Sequence, residues 1–441
     1  MNRLSLSLLT IAASVACLCA QSPSQSAPSQ PAPSQSAPSP QAPAPKAADS
    51  QSGIQWKDLT KSGLPLRFYG FLRLDTYYNT ARMDSVVLPS RVLPEVEPNL
   101  TPAAGQAKRN DDQFFLDPRL TRFGIDLLPV EVDGTKVQGK LEIDFANFPT
   151  GSAESRATPR IRVAYLDVSR GDFGLRAGQD WDVISPLFPA ANHELLMWNA
   201  GNLGDRRAQI QGRYTPSAKF ELKAALGLTG AINNEDLDTG AATGERDGFD
   251  SGMPHVQARA GLKPFEIVDE KPVELGVWGM YGQTQTDTFF NDHDRFDIWV
   301  AGIDWQIPVC SSVTFRGEAW TGQNLGDVRG GIGQTINTQL GREIGSTGGW
   351  AEVVYALTAK TRFHAGASLD DPDNDDLSTT LASANRRRNQ TTYFGTVVDW
   401  DGGVRTGLDA IYWETDYTGP DGTNGSSGTA LRINLYFQLN F

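Results

Sequence analysis

The chain ends on an unbroken alternation: Leu431, Ile433, Leu435, Phe437, Leu439 and Phe441 form one set, and Arg432, Asn434, Tyr436, Gln438 and Asn440 form the other. A period of two places these sets on opposite faces of a β-strand. The same rhythm recurs upstream. Val137, Gly139, Leu141, Ile143 and Phe145 alternate with Gln138, Lys140, Glu142 and Asp144, and Phe220, Leu222, Ala224, Leu226 and Leu228 alternate with more polar neighbours. Further stretches of the same kind lie at 254–262, 312–321 and 361–369. Read along its length from Leu66, the chain carries about 16 such segments.

The connections between the segments are lopsided. Tight turns fall at Asp133-Gly134, Gly171-Asp172, Pro216-Ser217, Pro308 to Ser311, Ala359-Lys360 and Asp401-Gly402. A slightly longer one spans 263–272. Alternating with these are long, polar, Gly/Asp/Asn-rich stretches at 79–115, 146–158, 182–204, 229–253, 284–295, 322–348, 370–390 and 416–428. A β-sandwich would also alternate, but it would not collect every long loop at one end. Short turns on one side and long loops on the other are what a transmembrane barrel requires, and a closed ring leaves no unpaired edge for lipid to meet. The expected fold is therefore all-β: a transmembrane antiparallel β-barrel of about 16 strands, with short periplasmic turns and long extracellular loops. An even strand number returns both ends of the barrel to the periplasmic side.

Composition fits this reading once the alternation is known. Only 39% of the 441 residues are hydrophobic and 21% are charged, but a barrel spreads its lipid face over every second residue and gives a weak hydropathy signal. The start reads as a signal peptide over 1–20, with Arg3 before the apolar run Leu4 to Ala16; that run is shorter than a spanning helix needs. Residues 21–60 are expected to form a Pro/Ala/Ser/Gln-rich periplasmic linker without structure, because such a composition buries no apolar surface. The barrel is expected over 66–441. The net charge of −13 argues against nucleic-acid binding. Three cysteines, two of them (Cys17 and Cys19) inside the leader, are too few for a cysteine-based metal site.

Tyr77, Tyr78, Trp278, Trp299, Trp350, Tyr412 and Trp413 fall near expected strand ends, as interfacial aromatic girdles do. The first strand, Phe68-Tyr69-Gly70-Phe71-Leu72-Arg73-Leu74-Asp75, resembles that of the DcaP-like porins. The run Arg176-Ala177-Gly178-Gln179-Asp180-Trp181, followed by Pro186 and Phe188, resembles the Gly-Gln-x-Trp segment that opens the third long loop in that family. The resemblance covers about 66–441. It implies a homotrimer of 16-stranded barrels in the bacterial outer membrane, a third loop folded into the lumen, and in some members a preference for small anions such as dicarboxylates. The terminal Phe441 resembles the signal read by the barrel-assembly machinery. A coiled-coil segment, often present before the barrel in the family, is not expected from the Pro-rich tract here.

A barrel of this size encloses water, so selectivity is expected from charges on its inner face. Alternation puts Arg73, Arg122, Arg160, Arg162, Arg176 and Arg207 on that face, with Asp180 among their acidic neighbours. Asp182 and Glu194 in the 182–204 loop are candidates to face the arginines across a constriction. Guanidinium groups stay charged and take carboxylates or phosphates in pairs of hydrogen bonds. The bland alternative is that these arginines brace the wall by ion pairing. The 182–204 loop also holds Pro186, Leu187, Phe188 and Leu195-Leu196-Met197-Trp198, unusually apolar for a loop in water. The acidic run Asp370 to Asp376 lacks the Gly and distal Glu of a calcium loop; a loose bridge to lipopolysaccharide is the most it suggests. No catalytic residues are expected: the four histidines have no nucleophile motif beside them, and no metal-ligand or cofactor-binding spacing is present. The expected function is passive diffusion of small hydrophilic solutes, with lipid, lipopolysaccharide and the assembly machinery as partners. The alternatives are a wall-anchoring structural barrel and, more remotely, a barrel hydrolase.

Overall fold

Strand by strand, alternation of apolar and polar residues becomes a wall with a lipid face and a water face. The structure, a computed structural model, describes residues 65–85, 88–94, 111–147, 157–191, 197–237, 246–268, 271–378, 385–418 and 424–441. The segments expected as leader (1–20) and linker (21–60) lie outside these residues.

The barrel strands are β1 (Leu66–Asn79), β2 (Gln113–Asp117 continued by Arg122–Val132), β3 (Thr135–Asp144), β4 (Arg160–Arg170), β5 (Phe173–Trp181), β6 (Arg206–Ser217), β7 (Phe220–Gly227) and β8 (His255–Leu262). They continue as β9 (Glu274–Phe290), β10 (His293–Cys310), β11 (Val313–Gln323), β12 (Gly345–Ala356), β13 (Thr361–Pro372), β14 (Arg386–Asp399), β15 (Val404–Thr418) and β16 (Asn424–Asn440). The sheet contains 17 strand segments, two of which are the halves of β2, so the ring has sixteen strands. Each pairs antiparallel with its neighbour in sequence, and β16 closes on β1 with Leu74 opposite Phe437. The break in β2 sits at Pro118, which has no N–H to give the ladder; there Arg119 turns back to grip Asp117 at 2.7 Å.

The outward set on β16 is exposed (Leu431, Leu435, Phe437, Leu439), whereas Arg432 and Asn434 are fully buried. This inversion, apolar outside and polar inside, holds around the ring and identifies a membrane-spanning barrel. All sixteen expected strands are present, and several begin earlier than expected: β12 at Gly345, β14 at Arg386 and β16 at Asn424, each four or five residues inside an expected loop. The stretch 284–295, expected as a long loop, is the top of a hairpin: β9 and β10 run on to a turn at Asn291 and Asp292, both with positive φ (49° and 68°). Asn and Asp tolerate that conformation and favour such two-residue turns. Crossing lipid takes roughly 9–11 residues, whereas β10 has 18. Its upper part stands clear of lipid, and the apolar alternation that marks a strand is lost there. β2 also begins earlier than expected, at Gln113.

At the seam Phe441 is paired with β1. Phe441 N donates to Gly70 O at 3.1 Å, Gly70 N donates back at 3.3 Å, and the Phe441 ring packs 5.9 Å from that of Phe123. A Cβ on Gly70 would lie 2.2 Å from Arg122 O and 2.9 Å from the Phe441 ring. Gly70→Val should therefore lower the temperature at which the compact form is lost on SDS gels by several degrees, whereas Gly212→Ala, with open space around it, should not.

Candidate functional site

The outer half of the lumen is occupied by the protein's own loops. The segment from Asp182 to Asp205 leaves β5, crosses the interior and returns to β6. Its path is fixed by polar groups on the far wall. Val183 N and Ile184 N donate to Gln257 Oε1 of β8 at 2.6 and 3.2 Å. Glu318 of β11 accepts from the Ser185 hydroxyl and from Leu187 N at 2.8 Å. Glu352 of β12 accepts from Ala190 N at 2.9 and 3.0 Å. Trp320 Nε1 donates to Gly201 O at 2.7 Å, and Asn389 of β14 donates to Asn199 O at 2.6 Å. Gly201 has φ +117° and lies against the wall so closely that a Cβ would meet Gly349 O at 2.2 Å, a place only glycine fills.

Apolar packing completes the plug. Met197 and Ala200 join Ala81, Met83 and Val92 of the first loop against Tyr393, Ile411 and Trp413 of the wall. On the other side Ile184 and Leu203 meet Leu325 and Val328, from the loop after β11, on a bed of Trp278, Ile298 and Trp320. The apolar character of 182–204 thus drives it inward, since a loop hydrophobic enough to avoid water finds its partners inside the barrel. The two inward loops also bond to each other, through Asn199 N to Arg329 O at 2.7 Å and Gly204 N to Val328 O at 2.9 Å.

Arg207 locks both loops to the wall. It is fully buried and donates to both oxygens of Asp182 at 2.8 and 3.0 Å, to Asp327 Oδ2 at 2.7 Å, and to the carbonyls of Asp327 and Leu228. Arg122, Arg160 and Arg162 form a second network with Glu142 and Asp144 across β2–β4. Arg160 Nε meets Asp144 at 2.7 Å, and Arg162 bridges Glu142 and Asp144, both at 2.8 Å. Arg122 stands 3.5 Å from Glu142, so that one carboxylate serves two guanidinium groups.

A cleft remains between the root of the 182–204 loop and β5–β7. It is lined on the wall side by Arg176, Asp180, Gln211 and Lys223, and on the loop side by Asp182, Pro186, Phe188 and Leu203, with Trp181 between them. Arg176 reaches Asp180 at 2.5 Å and Asp167 at 2.9 Å and lies over the Tyr165 ring, 4.0 Å from its centre. The Trp181 and Phe188 rings are 4.7 Å apart. Stacking on aromatic rings holds several of the inner-face guanidinium groups in fixed positions.

The structure therefore brings Arg176, Asp180 and Asp182 to one cleft and ties Arg207 to Asp182. It places Arg122, Arg160 and Arg162 together on the adjoining wall. Arg73 sits elsewhere, at the seam, paired with Asp75 at 2.7 Å and stacked 3.9 Å from the centre of Tyr436. Glu194 lies outside the described residues. Three participants escaped the sequence reading. Arg206 is the first residue of its strand and precedes the inward Arg207, so alternation alone points it outward. It pairs with Asp205 at 3.4 Å and lies over Trp181. Glu318 and Glu352 stand on the inner face of β11 and β12, and nothing in their spacing says that a distant loop will hydrogen-bond to them.

No protein-family profile matches the chain, and no curated protein matches it in sequence. Solved structures do match in fold. The outer membrane channel DcaP of Acinetobacter baumannii superposes with a TM-score of 0.68 at 16% identity, covering 86% of this chain and 98% of that one. OprB of Pseudomonas putida gives 0.53 at 11% identity, over 88% and 96%. Salmonella typhi OmpF, in a complex with daunomycin, gives 0.51 at 10% identity, over 86% and 98%. At these identities the likeness concerns the fold: a sixteen-stranded barrel of the kind these outer membrane proteins share.

Proposed function

We propose that the chain is an outer-membrane porin, a passive route for small hydrophilic solutes with a preference for small anions. The observation that carries the pore reading is the closed barrel with an apolar exterior and a charged interior, narrowed by an inward loop. Solved structures of the same fold include an outer membrane channel. The anion preference rests on charge. Arg160, Arg206 and Arg329 share Asp144 and Asp205 through their ion pairs, and Asp144 serves Arg162 as well. With Arg122 and Glu142 included, this one cluster sets five guanidinium groups against three carboxylates, whereas around Arg176 and Arg207 the carboxylates outnumber the cations. A fixed cationic excess at a narrow point raises the local concentration of anions.

The functional unit is proposed to be a homotrimer joined through the barrel walls; OmpT of Vibrio cholerae, which shares the fold, has a trimer form. Phe441 is proposed as the recognition end for the assembly machinery, and lipopolysaccharide as the outer-leaflet neighbour.

Planar-bilayer recording tests the reading. Wild-type protein should form open channels whose reversal potential in a KCl gradient indicates chloride preference. Replacing Arg160 and Arg162 by Ser should shift that potential towards cation preference, since it leaves Glu142 and Asp144 with fewer counter-charges. Channels with an unchanged reversal potential would remove the anion preference, and absence of conductance would remove the pore.

A further inference from the structure

We propose that the cleft under the 182–204 loop is a binding subsite for zwitterionic solutes, α-amino acids with apolar side chains, in which Asp180 takes the ammonium group. This rests on the pore reading but not on the anion preference.

Asp180 is the unusual member of the cleft. Its side chain is only 5% exposed, and its Oδ2 is engaged by Arg176 at 2.5 Å. Its Oδ1 is buried and has no hydrogen-bond partner among the described residues. A buried acceptor left unsatisfied is destabilising, the more so when it is charged. The other inner-face carboxylates nearby are saturated. Asp182 accepts from Arg207, Gln257 and Asp205 N, and Asp144 accepts from Arg160 and Arg162. Asp180 thus lines the cleft with one oxygen that no donor among the described residues reaches.

The same cleft offers the opposite charge. Lys223 lines it, and its ammonium group meets Glu221 at 3.2 Å, leaving donor capacity among its three N–H groups. Arg176 supplies a second cation on the same wall. An α-amino acid carries its ammonium and carboxylate on one carbon, so both ends can be met within one small site. Trp181, Phe188 and Pro186 form the remaining face, which suits an apolar side chain better than a polar one. An anion without an ammonium group would meet Lys223 and Arg176 but leave Asp180 Oδ1 unsatisfied, and would approach its charge. A cation alone would meet Arg176 and Lys223 with like charge. A zwitterion satisfies both.

Three compounds that share an isobutyl group separate these cases: leucine, 4-methylpentanoate and 3-methylbutylamine. Saturation-transfer NMR on the detergent-solubilised full-length protein reads weak binding whether or not the pore conducts, so failure of the pore reading is distinguishable from failure of this one. Leucine is expected to bind more tightly than either relative. Asp180→Asn should weaken leucine roughly tenfold, within the range for one charge-assisted hydrogen bond, and leave 4-methylpentanoate unweakened. Lys223→Met should weaken both leucine and 4-methylpentanoate. Equal binding of leucine and 4-methylpentanoate to the wild type, or equal losses of both in Asp180→Asn, would overturn the assignment. Heat-modifiable migration of each variant on SDS gels checks that the barrel has formed.

Discussion

Replacing Glu318 and Glu352 by Ala in one protein should raise single-channel conductance roughly two- to threefold and introduce flicker, because conductance follows the free cross-section of the lumen. The two carboxylates stand on neighbouring strands, β11 and β12, and between them take the Ser185 hydroxyl and the backbone N–H groups of Leu187 and Ala190. Buried hydrogen bonds contribute about 0.5–1.5 kcal/mol each, more where the acceptor is charged. Three such bonds lost from one short segment outweigh the packing of Pro186 and Phe188 that remains. The downstream half of the loop should stay in place, because Trp320 and Asn389 hold Gly201 and Asn199 independently. The expected result is a partly released loop rather than an empty barrel. Replacing both glutamates by Gln, which keeps an acceptor oxygen at each position, should give a smaller increase. A double-Ala variant with wild-type conductance would show that the loop is held by packing alone.

Arg207→Ala should have the largest effect on stability. The guanidinium joins Asp182, at the root of the 182–204 loop, to Asp327, in the loop after β11. Removing one partner from a buried ion pair typically costs about 3–5 kcal/mol, since the remaining charge keeps its desolvation penalty. The lower end applies here: Asp182 retains Asp205 N and Gln257, and Asp327 retains Gly230 N and Ile232 N. The expected outcome is a folded barrel with both loops loosened. It should be read as new trypsin cleavage within the loops and a lower thermal transition of the compact form. Adding Asp182→Asn and Asp327→Asn to Arg207→Ala should recover part of the loss, because neutral amides tolerate burial without a counter-charge. A triple variant no more stable than Arg207→Ala would argue that shape, not charge, is what Arg207 supplies.

What the sequence by itself determined is the wall. A period of two with lopsided connections leaves little choice of architecture, because each strand must show lipid on one face and each backbone group must find a partner within the ring. The interior facing of Arg122, Arg162, Arg176 and Arg207 follows from the same arithmetic, as does the apolar oddity of 182–204. Alternation failed where strands stand clear of lipid, as at 284–295, and at strand ends such as Arg206, which alternation alone points outward. What only the tertiary structure decided is which inner-face charges meet. Asp182 finds Arg207, Glu318 and Glu352 find a loop more than a hundred residues away in the chain, and Asp180 has an oxygen without a partner among the described residues. Those outcomes depend on how loops cross a closed cylinder, and local periodicity carries no information about positions that are distant along the chain and adjacent only across the lumen.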